Sequence, residues 1–163
     1  MPTEQGGALQ RPVPVPADPE YATRVRASFD RQGAMRLLGA CLSEVRPGYC
    51  IIDLPYREEL TQQHGYIHAG VVSAIADSAG GYAAFTLFPA DSSVLTVEYK
   101  MNLLAPAAGE RLIAVGEVVK QGRTLAVTRG EVHAEDKGRR TLCAIMQQTL
   151  IVLVGKPDAS SAR

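Results

Sequence analysis

The chain of 163 residues carries 17 Lys plus Arg against 17 Asp plus Glu, and 46% of its residues are hydrophobic. That length suits one compact core, the apolar content excludes global disorder, and a net charge of zero excludes a nucleic-acid binder driven by bulk phosphate attraction. No apolar run near the start reaches signal-peptide length and no later window offers about 18 uninterrupted apolar residues, so a cytoplasmic protein without a membrane span is expected. Cys41, Cys50 and Cys143 are odd in number and lack C-x-x-C spacing. They read as buried thiols, not as a disulfide framework or a metal site.

Pro12, Pro14, Pro16 and Pro19 make the opening extended, and the closing residues 155–163 are small and polar. The expected organisation is a flexible arm over 1–17, one domain over 18–154 and a flexible tail over 155–163. From Asp18 to about Leu38 the spacing of Tyr21, Val25, Phe29, Met35 and Leu38 predicts one helix. Ala40 to Val45 and Tyr49 to Pro55, separated by Arg46-Pro47-Gly48, predict a hairpin. Residues from about Gly70 to Phe88 lack proline and are crowded with Ala, Ser and Gly, which predicts a long helix ending before Pro89.

After Ser92 the pattern has period two, over Val94–Met101, Leu112–Val119, Thr124–His133 and Leu142–Val154. The intervening turns, Pro106 to Gly109, Gln121-Gly122 and Asp136-Lys137-Gly138, are short, so consecutive strands are expected to pair antiparallel. The predicted class is α+β, with the long helix packed on one face of an antiparallel sheet.

Gly80 and Gly81 inside that helix cost about 1 kcal/mol each relative to alanine. Either another backbone approaches them closely, as when a curved sheet wraps a helix, or the helix tolerates them. Between Thr61 and Val97 the only charged residues are Asp77 and Asp91, and Asp91 follows the helix. Asp77 therefore has no Lys or Arg at helical spacing to pair with. It is either solvent-facing or a functional carboxylate, and its Ser, Ala and Gly neighbours favour function. Ahead of the helix, Gln62 to Gly70 is dense in uncharged hydrogen-bonding groups and leads into free helical N–H groups, a place where a growing negative charge on a carbonyl oxygen is stabilised. The other reading of His68 is a plain helix cap.

His68 and Asp77 are nine positions apart, on opposite sides of one helix and about 13 Å apart along it. If both serve one site, a two-fold dimer that sets Asp77 of one subunit against the helix entrance of its partner is the natural arrangement. The spacing of His64 and His68 suits a helical metal pair, but Gly65 and Ile67 make that segment a poor helix, so no metal is expected. Ser73 and Ser78 lack the surroundings of a nucleophilic serine, and no phosphate-loop or dinucleotide fingerprint is present.

The block Gln62 to Gly70 with Asp77, followed by the run Thr96 to Ala107, resembles the hotdog-fold acyl-CoA thioesterases of the phenylacetate-pathway (PaaI) type, over about Gly39 to Val154. In that family a His-Gly-Gly motif opens the central helix, an Asp nine residues later is nucleophile or general base, an upstream amide places substrate or water, and a strand hydroxyl assists. The resemblance puts the motif histidine on His68, its glycines on Ala69 and Gly70, its carboxylate on Asp77, its amide on Gln62 and its hydroxyl on Thr96. Ala69 departs from the motif glycine, and Gln62 is one methylene longer than the commoner Asn. A Lys120-Gln121-Gly122-Arg123-Thr124-Leu125 turn strengthens the likeness.

The resemblance implies hydrolysis of an aromatic or medium-chain acyl-CoA, no cofactor beyond the coenzyme A of the substrate, and a homodimer that pairs into a homotetramer. Ala69, Tyr66, Tyr82, Lys120 and Arg123 are the expected substrate-binding residues, with Phe85 and Tyr99 as further candidates for the acyl pocket. Within the fold the alternative is an enoyl or hydroxyacyl-thioester hydro-lyase; outside enzymology it is a non-catalytic acyl-CoA binding protein. The charge is unevenly spread: residues 109–163 carry 9 basic and 6 acidic groups, with Arg111, Lys120, Arg123, Arg129, Lys137, Arg139 and Arg140 as candidates for the coenzyme A phosphates.

Overall fold

A computed structural model describes residues 14–156 and 158. Most of the expected arm and tail (1–13, 157 and 159–163) lies outside the described residues. In chain order the elements are α1 (Tyr21–Arg31), α2 (Gly33–Leu38), β1 (Cys41–Arg46), β2 (Tyr49–Pro55), a 3-10 turn (Glu58–Leu60), α3 (Ala69–Phe85), β3 (Ser93–Leu103), β4 (Arg111–Gln121), β5 (Leu125–Asp136) and β6 (Arg139–Leu153). The strands form one antiparallel sheet in the order β1-β2-β4-β5-β6-β3, and α3 contacts five of them.

The helix is apolar nearly all round because the sheet curls about it. Val72, Ile75, Ala76 and Ala79 are buried against Ile52, Leu54, Leu112, Ala114, Val132 and Met146 of the sheet, and Ala83 and Phe85 pack with Cys50 of β2 and Val25 of α1. Gly116 of β4 explains how close the layers come: a Cβ there would run into the backbone of Ala79 and Gly80. Gly80 is empty for a different reason. A Cβ on it would collide with the side chains of Gln148 and Thr128, the latter at 2.7 Å. Close approach thus accounts for Gly80, through side chains of the sheet, whereas the backbone contact is made from the strand side.

Three expectations are corrected. The N-terminal helix is two helices, broken at Gln32, whose backbone is extended (φ −73°, ψ 98°). Phe29 and Met35 are six residues apart, so on one continuous helix they would point about 120° apart; the break lets both enter the core. Second, β3 and β4 do not pair. β3 runs beside β6 (Thr96↔Leu150, Met101↔Met146), and residues 104–110 cross the ends of β6 and β5 to reach β4. Three strand spacings are about 14 Å, within the reach of seven residues, so the short link permits a crossover as well as a hairpin. Third, Cys41 is exposed; only Cys50 and Cys143 are buried.

A bulge between Thr96 and Glu98 shifts the phase of β3. Before it, Val94 and Thr96 face the helix; after it, Met101 packs into the core and Glu98 turns to accept a hydrogen bond from Thr149. The bulge therefore aims a hydroxyl from the polar phase of the strand inward. Arg24 of α1 ties the layers at the other end of α3, donating to the carbonyls of Phe85 and Phe88 (3.2 and 2.7 Å) and pairing with Asp18 at 2.8 Å. A cation there complements the negative end of the helix.

Candidate active site

Asp77 sits at the middle of α3, its side chain turned toward β3 and β6. Its Oδ1 accepts hydrogen bonds from Thr96 Oγ1 (2.7 Å) and from the Gln148 side-chain amide. Gln148 is 1% exposed, and its Oε1 accepts from the buried Thr128 hydroxyl at 2.8 Å. Among the described residues nothing donates to Oδ2. The carboxylate is thus fixed by one oxygen and presents the other, a preorganised acceptor for a proton or an electrophilic carbon. Asp77 lines a cavity of about 550 Å³, with Thr96, Leu95 and Leu150 on one side and Ser28, Gln32 and Tyr82 on the other. The Ser28 and Tyr82 hydroxyls lie 3.3 Å apart. Burial pushes the Tyr82 phenol above its ordinary value, against the opposing hydrogen bond from Ser28, so it remains a protonated donor at neutral pH.

At the start of α3, His68 is the N-cap (φ −60°, ψ 138°) and its Nδ1 accepts from the Gly70 N–H at 2.9 Å. This fixes the neutral tautomer with the proton on Nε2. Val71 and Val72 donate to the His68 carbonyl. The Ala69 N–H, in contrast, has no partner among the described residues. Ala69, Gln62 and Tyr66 line a second cavity of about 170 Å³, closed by Leu103, Pro106 and Cys143. The Gln62 carbonyl oxygen of the side chain accepts from the His64 N–H.

The structure therefore brings Asp77, Thr96 and Tyr82 together at one cavity and Gln62, Tyr66 and Ala69 at another, on the two sides of α3; among the described residues none lines both. Lys120 and Arg123 line neither. They stand exposed at the β4–β5 turn, on the end of the sheet where the row Gln121–Ala126–Leu150–Thr96 lies. Of the other cations, Arg111 pairs with Asp53 and Glu135, Arg140 with Glu135, and Arg129 with Glu131. Gln148, Thr128, Ser28 and Gln32 were not expected at the site. Gln148 carries a legible signal, being polar in the inward phase of β6 between Met146 and Leu150; Thr128 carries none, since threonine is at home in any strand. Among the described residues no group of His, Cys, Asp and Glu is placed to hold a metal ion, and no helix is long and apolar enough to cross a membrane.

A curled antiparallel sheet around one central helix is the hotdog fold. Residues 64–141 match the thioesterase superfamily. The fold superposes on a thioesterase family protein from Silicibacter pomeroyi with a TM-score of 0.82 and 49% identity, over 83% of this chain and 99% of that one. The 1,4-dihydroxy-2-naphthoyl-CoA hydrolase of Listeria monocytogenes is 26% identical over 68% of this chain and 89% of its own length. The human acyl-coenzyme A thioesterase 13 is 26% identical over 71% and 83%. The chain belongs to the thioesterase superfamily, and it is a thioester hydrolase.

Proposed function

We propose that the protein is an acyl-CoA thioesterase of the phenylacetate-pathway type, acting on aromatic or medium-chain acyl-CoA. The observation that carries this reading is the carboxylate of Asp77, held at Oδ1 by Thr96 and Gln148 and left open at Oδ2 beside a 550 Å³ cavity. Asp77 either attacks the thioester carbonyl carbon or takes a proton from water as the water oxygen adds to that carbon. The carbonyl oxygen, negative in the tetrahedral intermediate, is met by the Ala69 N–H at the positive end of α3. Collapse breaks the C–S bond and the departing thiolate takes up a proton to give CoA. When water is the attacking group the free acid forms in the same step, and when Asp77 attacks a mixed acyl–Asp77 anhydride remains, which water hydrolyses to the free acid and the regenerated carboxylate. His68 and Gly70 act by shaping the helix entrance, since the Gly70 N–H is occupied by the imidazole. Gln62, in the cavity beside Ala69, positions the substrate or water.

Because Asp77 and Ala69 lie about 12 Å apart along α3 and line separate cavities, each site is assembled from two subunits. β3 supports this: it is an eleven-residue edge strand with Leu95, Val97 and Tyr99 about half exposed, a combination that calls for a partner. Pairing of dimers through the outer sheet face gives the tetramer. Lys120 and Arg123, free of ion pairs among the described residues, receive the coenzyme A phosphates. The names of the Listeria and human relatives support acyl-CoA, and the former an aromatic acyl group. Thiol release from benzoyl-, phenylacetyl-, hexanoyl- and octanoyl-CoA tests the reading. Enzyme-dependent CoA release is expected; binding or hydration without thiol release contradicts it.

A further inference from the structure

Gly80 and Gly81 are adjacent in α3 and empty for opposite reasons. At Gly80 the missing side chain makes room for Gln148 and Thr128. At Gly81 an added Cβ would meet, among the described residues, only Leu150 Cδ2 at an ordinary 3.7 Å, and Gly81 lines the cavity that holds Asp77. Packing therefore requires glycine at 80 and does not require it at 81, although a mid-helix glycine is unfavourable for the helix. Gly81 is one turn beyond Asp77 on the same face, about 6 Å along the axis. Its neighbour Tyr82 stands with its ring edge-on to Phe29 (5.7 Å between centroids) and tilted against Phe85 at 6.4 Å, so this level of the cavity has a bare backbone next to an aromatic wall.

We infer that Gly81 is the specificity-determining position of the acyl cavity: it clears width one turn from the reacting carbonyl and so selects ring-bearing acyl groups over straight chains of similar carbon number. A missing side chain at a single level widens the cavity there without lengthening it, and a planar ring needs width where an alkyl chain needs length. The inference rests on the thioesterase reading with Asp77 as the reacting carboxylate.

The test compares kcat/KM for phenylacetyl-CoA and octanoyl-CoA in the wild type, Gly81→Ala and Gly81→Val. The expected result is a wild-type preference for phenylacetyl-CoA, and a fall of at least about 10-fold in the phenylacetyl-to-octanoyl ratio in Gly81→Ala, carried mainly by KM and larger in Gly81→Val. The thermal midpoint of Gly81→Ala is expected to equal or exceed that of the wild type, while Gly80→Ala, which collides with Gln148, melts lower. A ratio unchanged within twofold, or a Gly81→Ala midpoint lowered as much as that of Gly80→Ala, overturns the inference while leaving the thioesterase reading standing. No thiol release from any acyl-CoA by the wild type overturns both.

Discussion

The side-chain amide of Gln148 hydrogen-bonds the carboxylate of Asp77 across 71 residues of sequence, from the buried face of β6 to the middle of α3. It also donates to the Asp77 backbone carbonyl at 3.2 Å, and its own oxygen accepts from the Thr128 hydroxyl. The orientation of the amide is thereby fixed: the carboxylate and backbone carbonyl of Asp77 only accept, so the NH2 group must face them and the oxygen is left to the Thr128 hydroxyl. The space for this relay is the side chain that Gly80 lacks.

Replacing Gln148 by Leu removes the relay at both ends. The Thr128 hydroxyl is left buried without its acceptor and Asp77 without one of its two side-chain donors. A loss of about 1–3 kcal/mol in unfolding free energy is expected, together with a fall in kcat that exceeds any change in KM. Urea unfolding and steady-state kinetics on the same preparation check both; full activity in the variant would show that Thr96 alone suffices to hold the acid.

Ala69→Pro tests the proposed oxyanion donor. Proline is favoured at the first helical position, and the extended backbone of His68 (ψ 138°) suits a following proline, so the thermal midpoint is expected to hold. Deleting that N–H is expected to lower kcat by about 100- to 1000-fold. Mixing and reassociating inactive Ala69→Pro and Asp77→Asn chains forms hybrids with one intact and one doubly altered site. Random pairing of a shared-site dimer then restores about a quarter of wild-type activity; no recovery would place each site within one subunit.

Glu135 links Arg111 and Arg140 across the sheet. Hydrogen bonds from Arg140 and then Arg111 hold its carboxyl below the ordinary value of 4.5. A depressed folded-state value contributes stability that is present above the ordinary carboxylate range and is lost as pH falls through the folded value. The difference in urea midpoint between wild type and Glu135→Gln is therefore expected at pH 6 and expected to shrink below about pH 4.5. A difference that stays constant down to pH 3 would contradict the assignment.

The three thiols separate cleanly. Burial pushes Cys50 up to about 12 and raises Cys143 as well, while Cys41 lies exposed on β1. One thiol per native chain is expected to react rapidly with an aromatic disulfide reagent at pH 8, and all three after denaturation. Cys41→Ser should abolish the fast phase; a persistent fast phase would mean that Cys50 or Cys143 is reached in the native state.

Local signals carried most of the fold. Pro47-Gly48 marks the first hairpin, with Gly48 at φ +71°, and the period-two runs mark the later strands. What local signals do not hold is which strands meet. The link from β3 to β4 is short enough for a hairpin, and only the burial of α3 under the whole sheet selects the crossover that puts β3 beside β6. The break at Gln32 is likewise tertiary, since Phe29 and Met35 share one core. At the site, Asp77 stood out as a lone charge in a helix of small residues. Gln148 appeared as one polar residue in an apolar phase, but its tie to Asp77 depends on a strand pairing that local pattern does not state.

In the proposed mechanism the carboxylate of Asp77 performs the hydrolysis. Asp77→Asn keeps the shape of the side chain and an acceptor for Thr96 while removing the charge. With phenylacetyl-CoA as substrate, thiol release by Asp77→Asn is expected to fall by about 1000-fold or more, with the thermal midpoint and oligomeric state of the wild type. Turnover within about tenfold of wild type by a folded Asp77→Asn protein would contradict that role.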